Sequence, residues 1–162
     1  MADNWLIRKL FHFWFLLRRP MTLGVRVLVE NEHGEVLLVR HTYVTGWYFP
    51  GGGIEIGDHS EATARKELFE ETGLDCRSEM HLVGVFYNRK TSRRDHVVFY
   101  RCSERYDTEH FKRNKEIEEV GFFSINHLPT DVSPATKRRL REVFQGETSE
   151  EKPIESSKMP LV

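Results

Sequence analysis

Gly51 to Leu74 reads GGGIEIGDHSEATARKELFEETGL, and the rest of the chain is understood from this stretch outward. Its second half predicts a helix from Ser60 to Thr72, with Ser60 as N-cap and Gly73 where a left-handed C-terminal cap is wanted. On that helix Glu67, Glu70 and Glu71 stand at i, i+3 and i+4, so three carboxylates leave from one side. Like charges at that spacing repel by roughly a few tenths of a kcal/mol per pair unless something neutralises them. A hard divalent cation, Mg2+ or Mn2+, does so, because it prefers oxygen ligands from carboxylates, carbonyls and water. Ala62, Ala64 and Leu68 keep other faces small or apolar, which lets the helix press on a sheet. The glycines before it let the backbone approach a ligand closely and offer a carbonyl to the same cation. A Glu-rich helix alone is an ordinary solvated face. The glycine loop, the fixed gap and the glycine cap together set this one apart.

Gly52, five residues, Asp58, seven residues, then Lys66-Glu67-Leu68-Phe69-Glu70-Glu71-Thr72-Gly73-Leu74 resembles the signature box of the Nudix hydrolases. That family's pattern is Gly-x5-Glu-x7-Arg-Glu-U-x-Glu-Glu-x-Gly-U, with U a bulky aliphatic residue. The box covers 23 residues, and the flanking strand order agrees with the family from about Met21 to Phe144. Two positions depart: Asp58 stands where the family has Glu, and Lys66 where it has Arg. Each keeps its charge, although Lys lacks the planar, bidentate grip of a guanidinium.

The resemblance implies a metal-dependent hydrolase of a nucleoside diphosphate linked to another moiety X. It implies Glu67, Glu70 and Glu71 as catalytic residues, and Gly51 (through its carbonyl), Glu70 and Glu71 as metal ligands. Glu67 is then a further ligand or the base that activates water, and Asp58 and Lys66 orient the carboxylates. A later carboxylate often joins the set; among Glu116, Glu118 and Glu119, the one preferred is Glu116, which precedes a strand rather than lying in it. These residue types suit the reaction. A diphosphate repels incoming hydroxide, and divalent cations neutralise that charge, lower the pKa of bound water and hold the leaving phosphate in line.

Outward from the box, Leu23–Val29, Glu35–Arg40, Trp47–Phe49, Leu82–Tyr87, His96–Cys102 and Val120–Ser124 read as strands. Ser133 caps a last helix, with Pro134 in its first turn, running to about Phe144. Strands and helices mix without regular βαβ alternation. The expected fold is therefore an α/β/α sandwich, of Nudix type by the resemblance, around a mixed β-sheet. Arg89, Lys90, Arg93 and Arg94 share one interstrand loop, which is either a solubilising hairpin tip or a phosphate contact. The candidate substrate-binding residues are Arg40, Trp47, Tyr87, Arg89 and Arg94; the aromatic ones serve equally well as core. The marks of three Nudix subclasses are absent: no proline lies between Pro50 and Pro129, Lys90-Thr91-Ser92 replaces a tyrosine, and SQPWPFP does not occur. A nucleoside triphosphate or nucleotide sugar is the favoured substrate. The competing function is a non-catalytic nucleotide-binding module.

The 162 residues make one domain with short appendages: a helix over 1–20, the Nudix-type domain over 21–144 and a flexible tail over 145–162. Hydrophobic residues at 39% exclude disorder as the main state. A net charge of −1 offers no footprint for duplex nucleic acid, so the expected partner is a small nucleotide. In residues 5–17 (WLIRKLFHFWFLL) the cations gather on a narrow polar side. That helix packs on the domain or on a second subunit as a homodimer, or lies at a membrane surface. It is too short and too charged to span a bilayer, and no cleavage site follows it, which favours a cytoplasmic protein. Cys76 and Cys102 are too few for a disulfide scaffold and read as unpaired thiols.

Overall fold

The computed structural model describes residues 9, 14, 21–89, 92–104, 111 and 113–146. Apart from Lys9 and Trp14, the amphipathic helix expected over 1–20 lies outside the described residues, as does the tail beyond Gly146. No helix among the described residues is long and apolar enough to cross a membrane.

Six strands form one mixed sheet: β1 (Thr22–Glu30), β2 (Val36–His41), β3 (Trp47–Tyr48), β4 (His81–Tyr87), β5 (Asp95–Ser103) and β6 (Ile117–Phe123). Two helices complete the sandwich, α1 (Ser60–Thr72) and α2 (Pro134–Gln145). β1 and β5 pair in parallel along nine residues, from Thr22 opposite Asp95 to Glu30 opposite Ser103. β4 lies antiparallel to β5, and β3 and β6 lie antiparallel to β2.

β1 and β2 meet only at Glu30 and Val36, then diverge. The glycine loop fills the wedge between them. Val25 N donates to Gly52 O at 2.8 Å, Val27 N to Pro50 O at 2.9 Å and Ile54 N to Leu23 O at 2.9 Å. The sheet's own hydrogen-bonding groups thus hold the loop at the centre of the molecule.

Strand alternation divides the core between the two faces. Val25, Val27, Val29, Leu37 and Val39 point toward α1, where Ala64 and Leu68 are fully buried. Leu28, Val36 and Leu38 point the other way, with Phe49, Phe99 and Leu140 of α2. Burying one such leucine is worth about 2 kcal/mol, so α1 is held chiefly by its apolar side while its acidic side stays available. Ala62 is exposed and takes no part in this packing.

Four local expectations are corrected. The N-cap of α1 is His59, whose carbonyl accepts from Thr63 N at 2.9 Å, and Ser60 is already helical. The Ser60 hydroxyl instead meets the Tyr100 hydroxyl at 2.7 Å, a tertiary partner that outweighs the local cap. β3 stops at Tyr48, because Pro50 cannot donate to a ladder. β6 begins at Ile117, so Glu118 and Glu119 lie within it, while Glu116 precedes it. Finally, α2 includes Gln145 and ends at Gly146, a left-handed cap like Gly73.

Candidate active site

Gly51 has φ +140°, and a Cβ there would come within 2.2 Å of the Val25 carbonyl oxygen. Only glycine runs this close beside β1. In that position the Gly51 amide donates to Glu71 Oε2 at 2.8 Å. Gly52 is constrained from the other side, since a Cβ would meet Glu67 Oε2 at 2.4 Å. The two glycines therefore seat the loop directly against the acidic side of α1.

Glu71 is only 6% exposed, and burial pushes its carboxyl up to about 7 despite the Gly51 hydrogen bond, which pulls it down. Arg26 also pulls it down, while the charges of Glu67 and Glu116 push it up. Glu67 is likewise raised, first by burial and then by the charge of Glu70, with Lys66 and Arg26 opposing. His41 Nε2 stands 3.8 Å from Glu71 Oε1, and His41 is held below its ordinary value by burial and by Arg26. Its Nδ1 is buried without a hydrogen-bond partner among the described residues.

The loop and α1 thus bring Gly51, Glu67 and Glu71 together, with Glu70 exposed on the same side of α1. Of the three later candidates, the charge of Glu116 reaches Glu67 and Glu71. Glu118 pairs with Arg113 at 3.7 Å, and Glu119 pairs with Arg40 at 3.5 Å. Lys66 is exposed and acts on Glu67 through its charge. Asp58 is exposed too, its amide bonded to Glu55 O at 3.1 Å.

The donor set fits a hard divalent cation. It is all oxygen, and neighbouring carboxylate charges raise Glu67 and Glu71, opposed by Arg26 at both and by Lys66 more strongly at Glu67. As the side chains stand, no group of three or more metal-binding side chains among the described residues is gathered around one point. The Gly51 carbonyl accepts from the Arg26 guanidinium, a cation already on the oxygen that is expected to hold the metal ion.

Beside this acidic face lies a cleft of about 480 Å3, within the range of small-ligand pockets. Arg26, Tyr43, Phe49, Phe86, Arg138 and Arg139 line it, together with Gly51 to Gly53. The Arg139 guanidinium sits 3.2 Å from the Phe86 ring centroid and pairs with Glu142. At one end Asp95 accepts from Asn88 Nδ2 at 2.7 Å and from Thr22 Oγ1 at 2.8 Å.

None of Arg40, Trp47, Tyr87, Arg89 and Arg94 lines this cleft. Trp47 is 2% exposed and packs edge-on to Phe123, with the Arg40 guanidinium 4.7 Å over its ring. Arg40 also pairs with Asp131 at 3.2 Å, so both residues hold β2, β3 and β6 together. Tyr87 stacks on His96 and donates to Arg93 O, while Arg89 and Arg94 are exposed at the hairpin tip. Lys90 lies outside the described residues. Sequence reasoning passed over Arg26, His41 and Tyr43. The available signal was Arg26 itself, a lone cation among the valines of β1 that alternation turns away from the α1 core.

A family model for the NUDIX domain matches residues 20–144. A protein of Bacillus subtilis (strain 168), named "Putative 8-oxo-dGTP diphosphatase", is 28% identical over 125 residues, 77% of this chain and 81% of its own. Among solved structures, an ADP-ribose pyrophosphatase from Streptococcus suis 89-1591 superposes with a TM-score of 0.64 at 27% identity, covering 80% of this chain and 93% of that one. A UDP-X diphosphatase superposes with a TM-score of 0.62 at 26% identity, covering 84% and 71%. Matches to two RNA pyrophosphohydrolases, of Methylococcus capsulatus and Blochmanniella floridana, span only 28% and 34% of those chains.

Proposed function

From the premise that the chain belongs to the NUDIX domain family and is a hydrolase of pyrophosphate bonds, we propose that it cleaves the diphosphate of a small nucleotide, either a nucleoside triphosphate or a nucleotide sugar. One juxtaposition carries this reading. The Gly51–Gly53 loop lines a cleft that also holds aromatic rings and guanidinium groups, and the same loop is bonded through the Gly51 amide to Glu71 on the acidic side of α1. Similarity to proteins named for 8-oxo-dGTP, UDP-X and ADP-ribose supports both substrate classes.

Glu70, Glu71, Glu116 and the Gly51 carbonyl would hold Mg2+ or Mn2+, with Glu67 as a further ligand or as the base. When bound, the cation neutralises diphosphate charge and makes its water more acidic. The chain's own residues do the rest. Tyr43 offers its ring face to a base or sugar, and Arg138 offers charge to phosphate oxygens. Glu67, made more basic by burial and by the charge of Glu70, is suited to take a proton from water.

The test is release of phosphate or pyrophosphate from a panel of nucleoside triphosphates, nucleotide sugars, ADP-ribose and dinucleoside polyphosphates. It is run at alkaline pH with Mg2+ or Mn2+, beside Glu70→Gln. One preferred substrate, lost in the variant, identifies X. A flat panel with ligand-induced thermal stabilisation would instead make the protein a nucleotide-binding module without turnover.

A further inference from the structure

Away from the acidic site, two thiols from different elements meet in the core. Cys76 lies in the segment after α1 and Cys102 lies on β5; they are 6% and 2% exposed. Their Sγ atoms are 3.3 Å apart, within hydrogen-bonding distance for sulfur, and the Ser78 hydroxyl is 3.4 Å from Cys76 Sγ.

The segment carrying Cys76 is clamped from both sides. Arg65 of α1 donates to the carbonyls of Cys76 at 2.7 Å and Ser78 at 3.1 Å. From the sheet side, Glu104 Oε2 accepts from the amides of Arg77 at 3.0 Å and Ser78 at 3.1 Å. These four hydrogen bonds hold one thiol against the other. A cleft of about 510 Å3 opens onto Cys102, bordered by Ser78, His81 and Arg101, which gives a small molecule a route to that sulfur.

We propose that Cys76 and Cys102 are a reversible thiol–disulfide couple, a modification site oxidised by a small peroxide to an intramolecular bond. Closing from 3.3 Å to the disulfide length of about 2.05 Å asks for a small displacement of one sulfur. One thiolate of the pair attacks one peroxide oxygen, the O–O bond breaks, and hydroxide leaves and is protonated to water. The other sulfur then attacks the resulting sulfenic sulfur, the S–O bond breaks, and a second water departs with that sulfur's proton. Two thiols lose two electrons and two protons, and one hydrogen peroxide becomes two waters. The hydrogen bond between the two sulfurs draws the Cys76 thiol below its ordinary range, with Ser78 adding to it, so one thiolate of the pair is within reach. A cell interior keeps such a pair reduced until oxidant rises.

The experiment uses the full chain, exposed to graded hydrogen peroxide and analysed by denaturing mass spectrometry without reductant. The expected result is a mass lower by about 2 Da, loss of both thiols titratable in denaturant, a peptide joining Cys76 to Cys102, and full reversal by dithiothreitol. Cys76→Ser and Cys102→Ser each abolish the loss of mass. Retention of both thiols, gain of oxygen without cross-linking, or disulfide-linked dimers in the wild type would each overturn the proposal. Because the wild-type spectrum decides, a variant that folds poorly leaves the test intact.

Discussion

Glu71 shows how one residue joins the fold to the chemistry. It is a carboxylate taken almost entirely out of water, and a single backbone amide only partly offsets that burial. Glu70 is exposed on the same side and takes no part in packing. Glu70→Gln should therefore leave the fold intact and lower kcat/KM by more than about 100-fold, since losing even an outer partner of a metal site costs 10–100-fold. Steady-state kinetics with Mg2+, beside a circular dichroism melt, checks both halves; near wild-type rates would remove Glu70 from the metal set. The neighbouring glycines separate fold from function in the opposite way. Gly51→Ala places a Cβ 2.2 Å from the Val25 carbonyl oxygen at φ +140°, so it should destabilise by more than about 2 kcal/mol. Gly52→Ala meets only the mobile end of Glu67. It should keep stability within about 1 kcal/mol while displacing that carboxylate and lowering kcat. Urea unfolding together with kinetics on the two variants distinguishes them.

At the scale of elements, the helices differ in how much of them is legible locally. The three glutamates of α1 and its glycine cap are properties of one short window, which is why spacing alone locates them. Its N-terminus is different, because the Ser60 hydroxyl finds Tyr100 on β5, forty residues away in the chain. α2 is capped locally. Ser133 accepts from Thr136 N at 3.1 Å, with Pro134 in the first turn. Ser133→Ala should cost about 1 kcal/mol. Because Arg138 and Arg139 reach the cleft from this helix, the same variant should raise KM more than it lowers kcat. Chemical denaturation and a kcat-versus-KM comparison test this, and an unchanged KM would detach α2 from substrate binding. The sequence also left Trp47 open between core and ligand. Packing buries it edge-on against Phe123, with Arg40 over its ring held in pairs to Asp131 and Glu119.

For the whole molecule, the acidic site makes stability depend on pH. The Glu71 carboxyl is raised to about 7 in the folded state from its ordinary 4.5. Below pH 4.5 both states hold the proton, and burial carries no ionic cost. As pH rises from about 4.5 to about 7, the unfolded chain loses that proton first, so the metal-free protein loses up to about 3 kcal/mol. Glu71→Gln should flatten this dependence, and EDTA-treated protein melted from pH 5 to pH 8 will show it. With Glu71 as a proposed ligand through its ionised carboxylate, the stabilising effect of Mg2+ should grow over the same window. An equal Mg2+ shift in melting temperature at pH 5.5 and pH 8 would remove Glu71 from the metal set. What the sequence determined by itself was local: a 3.6-residue period that puts three carboxylates on one side, the glycines that precede them, the caps, and the alternation that makes the strands. What only the tertiary structure decided was which side chains line the cleft beside the acidic site. Arg26 comes from β1, Tyr43 from the end of β2, Phe86 from β4 and Arg138 from α2. They meet because β1 parts from β2 after one bridge and runs parallel to β5, and pairings so distant along the chain leave no mark in any one stretch of it.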